Sequence, residues 1–82
     1  MITVRIFGLI SVEYDISRMY IEEGMVSRIL DEMVRQCPGI SRGKLQQSVM
    51  FINKEQVNVH KVLSRTLKDG DELVLISPSS GG

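Results

Sequence analysis

The chain is short of the residues that most site chemistries need. Cys37 is its only cysteine, which excludes an intramolecular disulfide framework and a thiolate-held zinc or iron–sulfur site. A lone cysteine also fits a reducing compartment, and a cytoplasmic protein is expected. His60 is the only histidine, and no metal-ligating residues cluster with it in sequence, so it reads as a loop residue without a metal or acid–base role. The lack of any Ser-His-acid, paired-carboxylate or phosphate-loop pattern argues against a stand-alone hydrolase or transferase. Net charge is lacking too. Ten acidic side chains balance ten basic ones, so no chain-wide field recruits nucleic acid or an anionic membrane. No apolar run approaches the roughly 18 residues of a membrane span. Met1 to Ile10, with Arg5 inside it and no small-residue cleavage site, is not a signal peptide. Partner choice must then rest on shape and local apolar surface.

What is present suits one small domain. The 82 residues are 43% hydrophobic and 24% charged, an ordinary globular composition at a size too small for a large internal active site. Ile2, Val4 and Ile6 alternate with Thr3, Arg5 and Phe7, which predicts a first strand over Met1 to Ile10 with the first set facing the core. Gly8 interrupts it as a bulge or bend. Ser11 to Ser17 reads as a turn region leading into a second strand, Arg18 to Glu23, that ends at Gly24 and completes a hairpin.

From Met25 to Cys37 the period becomes helical. Val26, Ile29, Leu30, Met33, Val34 and Cys37 form one apolar stripe, so Cys37 reads as a core residue and not a nucleophile. Arg28 with Glu32, and Asp31 with Arg35, stand at i,i+4 on the polar side. No strong N-cap precedes this helix, and Pro38-Gly39 stops it. Ile40 to Leu45 is expected to be a polar connection, with Arg42 and Lys44 in a solvated loop. Ser48 to Asn53 is the next strand, Met50 and Ile52 on one face and Val49 and Phe51 on the other. After a turn at Asn53-Lys54, the irregular stretch Val57 to Leu67 carries Val59, Val62, Leu63 and Leu67 as anchors for a loop or short helix under the core. Lys68-Asp69-Gly70-Asp71 is a turn. Glu72 to Ser77, almost wholly apolar, is the last and a central strand, and Pro78 ends its ladder.

Strands near both ends of the chain and one helix between them predict a mixed sheet of four to five strands with one face covered. A single helix cannot cover both faces. If Leu73 and Leu75 point at the helix, Val74 and Ile76 must point away, together with Phe7, Val49 and Phe51, as an apolar patch for docking a protein partner. The domain is expected to span 1–77 and to be followed by a tail, 78–82, that ends in Gly81-Gly82. Neither glycine carries a side chain, so such a tail can enter a narrow channel. Extended at about 3.3 Å per residue, Ser77 to Gly82 spans roughly 20 Å.

Three segments give a family resemblance: Phe51-Ile52-Asn53, then Leu67-Lys68-Asp69-Gly70-Asp71-Glu72-Leu73, then Pro78-Ser79-Ser80-Gly81-Gly82. The chain resembles the MoaD/ThiS family of ubiquitin-like sulfur carrier proteins. In length and in its proline after the last strand it is most similar to the small subunit of molybdopterin synthase. Two stretches depart from the family pattern, Gly8 to Tyr14 and the pair Ser79-Ser80. The resemblance implies an α+β fold, the ubiquitin-like β-grasp, and a chain that carries no catalytic residues of its own. It implies adenylation of the Gly82 carboxylate by an E1-like adenylyltransferase. A sulfur donor then converts the adenylate to a thiocarboxylate, covalent sulfur on Gly82 beside Gly81. ATP and magnesium would belong to the activating partner, and no cofactor would be bound by this chain. The sulfur acceptor would be a molybdopterin synthase large subunit or a thiazole synthase-like protein. Two other readings share the fold: a ubiquitin-like modifier joined to lysines through Gly82, and a β-grasp interaction module with an inert tail.

Overall fold

The computed structural model describes residues 1–78; the expectations for Ser79, Ser80, Gly81 and Gly82 lie outside the described residues. In chain order the elements are β1 (Ile2–Gly8), α1 (Leu9–Tyr14), β2 (Arg18–Ile21), β3 (Gly24–Met25), α2 (Val26–Gln36), α3 (Arg42–Gln46), β4 (Val49–Ile52), β5 (Glu55–Val57), α4 (Val59–Val62), β6 (Thr66–Leu67) and β7 (Glu72–Ser77). Five strands form one mixed sheet in the order β2-β1-β7-β4-β5, and β3 pairs with β6 apart from it. β7 is central, as its apolar run predicts, parallel to β1 and antiparallel to β4. The alternation assigns the inner face correctly. Ile2, Val4, Ile6, Met50, Ile52, Leu73 and Leu75 are buried in one core with Val26, Ile29, Leu30 and Met33 of α2. Val34 and Cys37 sit at its margin, half-buried.

Several expectations are corrected. The segment read as a turn region contains α1, which buries Ile10 and sends the Tyr14 hydroxyl to the Gly39 carbonyl at 2.9 Å. Its residues Ile10, Val12 and Tyr14 favour strands, and six residues are too few for a helical period to register against that composition. The stretch Ile40 to Leu45 is not a solvated loop. Ser41 accepts from the Lys44 N–H as the N-cap of α3, and both Ile40 and Leu45 are buried. Arg42 folds back onto α2, pairing with Asp31 and donating to the Ser27 hydroxyl at 2.6 Å. That contact takes Asp31 away from Arg35, which pairs with Glu32 instead, so neither expected i,i+4 pair forms. Lys44 lies 3.8 Å from Glu13 and 5.6 Å from the Tyr14 ring centre. Asn53 and Lys54, both at positive φ, make the expected turn, which leads into β5, a strand that the sequence pattern does not predict.

The weak N-cap of α2 is real and has a remedy elsewhere in the chain. Met25 offers no side-chain cap, but the Val26 and Ser27 N–H groups donate to the Arg65 and Leu63 carbonyls, each at 2.9 Å. The anchoring expected of the segment between β5 and β7 follows from this. α4, capped by the Asn58 side chain, buries Val59 and Val62, and so holds those two carbonyls against the end of α2.

Two segments that carry the family resemblance prove to be halves of one polar clamp. The Asn53 amide donates to an Asp71 carboxylate oxygen at 3.0 Å and accepts the Glu72 N–H at 2.9 Å, while the Lys68 N–H donates to Asp71 at 2.8 Å. The Lys68 N–H, followed by the Asn53 amide, holds the Asp71 carboxyl below its ordinary pKa. A carboxyl depressed on folding contributes stability above its unfolded-state pKa, near about 4, and that contribution is lost as pH falls through the lower folded value. Asp71→Asn is therefore expected to flatten the acid limb of a plot of urea midpoint against pH below about pH 4. The part due to Glu32, lowered chiefly by Arg35, should remain.

Candidate functional site

The outward face of the sheet is built by the strand register. Phe7 stands beside Ile76 and Ile76 beside Val49, so three apolar side chains form one row across β1, β7 and β4. They are 43%, 38% and 41% exposed respectively, well above the core. The next row runs through Arg5, Val74 and Phe51, the last two half-buried. Thus Phe7, Val49, Phe51, Val74 and Ile76 are brought to one face, as the alternation requires. Arg5 borders this surface, 5.3 Å from the centre of the Phe7 ring and 3.9 Å from a Glu72 carboxylate oxygen. Arg18 on β2 lies directly opposite Arg5. Like charges placed opposite each other disfavour a strand pair, and the Glu72 carboxylate beside Arg5 offsets part of that repulsion.

Ile76 is followed by Ser77 and then by the exposed Pro78. Gly81 and Gly82, the expected reactive end, lie outside the described residues. Sequence reasoning missed Ser77, although a signal was present. In the inward set Leu73, Leu75, Ser77, the third member is polar where an apolar side chain is expected. Ser77 is only 5% exposed, and its hydroxyl accepts the Ile10 N–H at 2.8 Å while donating to the Phe7 carbonyl at 3.1 Å. Gly8 does not bulge out of the sheet; it ends β1 at φ 92° and turns the chain into α1. A Cβ at Gly8 would stand 2.2 Å from the Ser77 carbonyl oxygen, so only glycine permits the approach.

Among the described residues no other grouping suggests chemistry. His60 is exposed in the first turn of α4, and only its backbone N–H is engaged, by Asn58. Among the described residues no three His, Cys, Asp or Glu side chains converge on a metal position. An open groove of about 520 Å³, lined by Tyr20, Glu22, Glu23, Arg28, Glu32 and Arg35 among others, holds charges of both signs. No helix among the described residues is long and apolar enough to cross a membrane.

A model of the ThiS family matches residues 18–82, including the final Gly81-Gly82. The chain belongs to the ThiS family. Solved structures agree on the fold. Small archaeal modifier protein 1 from Methanosarcina acetivorans superposes with a TM-score of 0.76 at 19% identity, over 99% of this chain and 95% of that one. A chain of the BexX/CysO complex from Amycolatopsis orientalis gives 0.74 at 22% identity, over 100% of both chains. A chain of the complex of subunits 1 and 2 of the molybdopterin-converting factor from Helicobacter pylori 26695 gives 0.65 at 23% identity, over 99% and 97%. No curated protein sequence matches the chain. The architecture is the ubiquitin-like β-grasp of the ThiS and MoaD carriers, with a five-stranded mixed sheet.

The two faces of β7 should respond very differently to truncation. Leu75→Ala, inside the core, is expected to cost about 2–5 kcal/mol. Ile76→Ser, one residue along on the open face, should cost no more than about 1 kcal/mol. Urea unfolding of both variants checks this; equal losses would mean that the outward row is packed like core.

Proposed function

We propose that this ThiS-family protein is a sulfur carrier, with residues 1–77 as the docking domain and 78–82 as the reactive tail. The observation that carries the reading is continuity. The exposed row Phe7, Ile76 and Val49 adjoins the end of the strand that leads into Pro78–Gly82. A partner seated on that row, with Phe51 and Val74 beneath it, receives the tail from the edge of the same contact. The apolar row supplies affinity through surface removed from water. Arg5 and Arg18 favour a partner whose contact rim is acidic.

In the proposed cycle the Gly82 carboxylate, ionised at neutral pH because a terminal carboxyl has a pKa near about 3.5, attacks the α-phosphorus of ATP and displaces pyrophosphate. The E1-like adenylyltransferase supplies ATP, magnesium and the catalytic groups. A persulfide sulfur on the donor then attacks the Gly82 carbonyl carbon and AMP leaves. Cleavage of the resulting sulfur–sulfur bond by a thiol gives the thiocarboxylate and a disulfide. The chain itself contributes the acyl group and its delivery. Molybdopterin synthesis is the favoured pathway, with the synthase large subunit as sulfur acceptor, and a thiazole synthase-like acceptor is the alternative. The fold shared with small archaeal modifier protein 1 from Methanosarcina acetivorans supports a second reading, in which a lysine amine displaces AMP and an amide forms at Gly82.

Intact-mass analysis after incubation with the cognate activating enzyme, ATP and a sulfur donor tests the carrier reading. The expected result is replacement of one oxygen by sulfur, localised to Gly82. Deletion of Gly82 should abolish this change while leaving affinity for the activating enzyme within about twofold, since the docking row is intact. Lysine-linked adducts in place of the sulfur product would favour the modifier. No change at all would overturn both.

A further inference from the structure

We propose that Ser77 is the positioning residue of the tail: by locking the last residue of β7 onto the junction of β1 and α1, it fixes the point and direction from which Pro78–Gly82 leave the fold. The inference rests on the reading of Gly82 as the reacting group.

Strand ends ordinarily fray, and Pro78 has no N–H with which to continue the ladder. The end of β7 is nevertheless held on two sides. Ser77 is buried at an inward position, and its hydroxyl is used both as donor, to the Phe7 carbonyl, and as acceptor, from the Ile10 N–H. The Ile10 N–H belongs to the first turn of α1, whose own N-cap residue Gly8 has no side chain to offer it. Ser77 therefore caps α1 from 67 residues away. The side-chain-free Gly8 lets the two backbones close to a distance that a Cβ would prevent.

The contact also joins the tail root to the docking row. The carbonyl bound by Ser77 is that of Phe7, whose ring is part of the exposed row, and Ile76 immediately precedes Ser77. A partner reading Phe7 and Ile76 thus meets the root of the tail, at Ser77 and Pro78, at an offset set by the folded core. Fixing the root of the tail narrows the directions from which the carboxylate can be delivered to a partner's active site, and a narrower approach raises the fraction of near-attack geometries.

The test compares Ser77→Ala with wild type in single-turnover adenylation by the cognate activating enzyme with ATP, followed by pyrophosphate release across a range of carrier concentrations. Asn58→Ala, which removes the cap of α4, serves as a destabilised control outside the docking row and tail. For Ser77→Ala the maximal rate is expected to fall about ten- to a hundredfold. Its half-saturating concentration should stay within about twofold, because the docking row is unchanged. The Ile10 amide should exchange faster with deuterium, whereas Asn58→Ala should leave both rate and Ile10 exchange near wild type. A folded Ser77→Ala with an unchanged maximal rate, or a loss no larger than that of Asn58→Ala, overturns the positioning role while leaving the carrier reading intact. No adenylation of wild type overturns both. If Ser77→Ala does not fold, Ser77→Cys, which keeps the side-chain shape with weaker hydrogen bonding, is judged by the same criteria.

Discussion

β7 is paired along both edges, and polar contacts fix it at each end. At its start the Asn53 amide engages both Asp71 and the Glu72 N–H. At its finish Ser77 is bound to Phe7 and Ile10. A one-residue slip would exchange the faces of every side chain in the strand, putting Val74 and Ile76 into the core and Leu73 and Leu75 into water. Hydrophobic preference alone penalises that slip weakly, because both sets are apolar. The end contacts supply the missing discrimination, since a slip would leave the buried Ser77 hydroxyl and Ile10 N–H unpaired and would break the exposed Asn53 bonds to Asp71 and Glu72. The sheet therefore depends on these two clamps for its register, and the outward row depends on the sheet.

The same arrangement explains how so small a chain can leave an apolar face open. The inner face is covered by α2, whose N-terminus is satisfied by the Arg65 and Leu63 carbonyls, by Ile40 and by Leu45 of α3. That is one continuous core, and among the described residues no further element lies over Phe7, Ile76 and Val49. Scattered apolar residues on a surface need no explanation. Three in register across adjacent strands are a surface feature that packing of the core does not account for.

Alternation was enough to read β1, β4 and β7 from sequence, including which residues point in and which point out, because one hydrophobic set in each had to meet α2. The stripe of α2 and the turn before β7 were equally plain. What escaped was set by contacts distant in sequence. α1 is made helical by docking Ile10 and Tyr14 against strand-favouring composition. Arg42 redirects Asp31, and no i,i+4 rule contains that information. β5 depends on two residues at positive φ, a conformation that Asn53 tolerates and Lys54 rarely adopts. For the outward face, pattern predicted membership, while the Ser77 contact at its edge was hidden, since a serine ending a strand is unremarkable until its two partners are known.

These contacts change what the family signature means physically. Asn53, Asp71 and Glu72 look like candidates for chemistry because they are polar and recur together in the motif, yet their hydrogen bonds are spent on holding β4 to β7. Their role is to deliver a strand end in a fixed place. Under the proposed cycle, the reacting group is a backbone carboxylate on a glycine, which has no side chain to tune its reactivity. Selection for function can then act only through where that carboxylate is presented and what the partner grips. In that cycle Ser77 at the end of β7 would set the first, and Ile76 one residue before it, flanked by Phe7 of β1 and Val49 of β4, would set the second. A substitution in the core that shifts β7 by a fraction of a residue would thus disturb delivery and docking together, even though it touches neither the tail nor the partner.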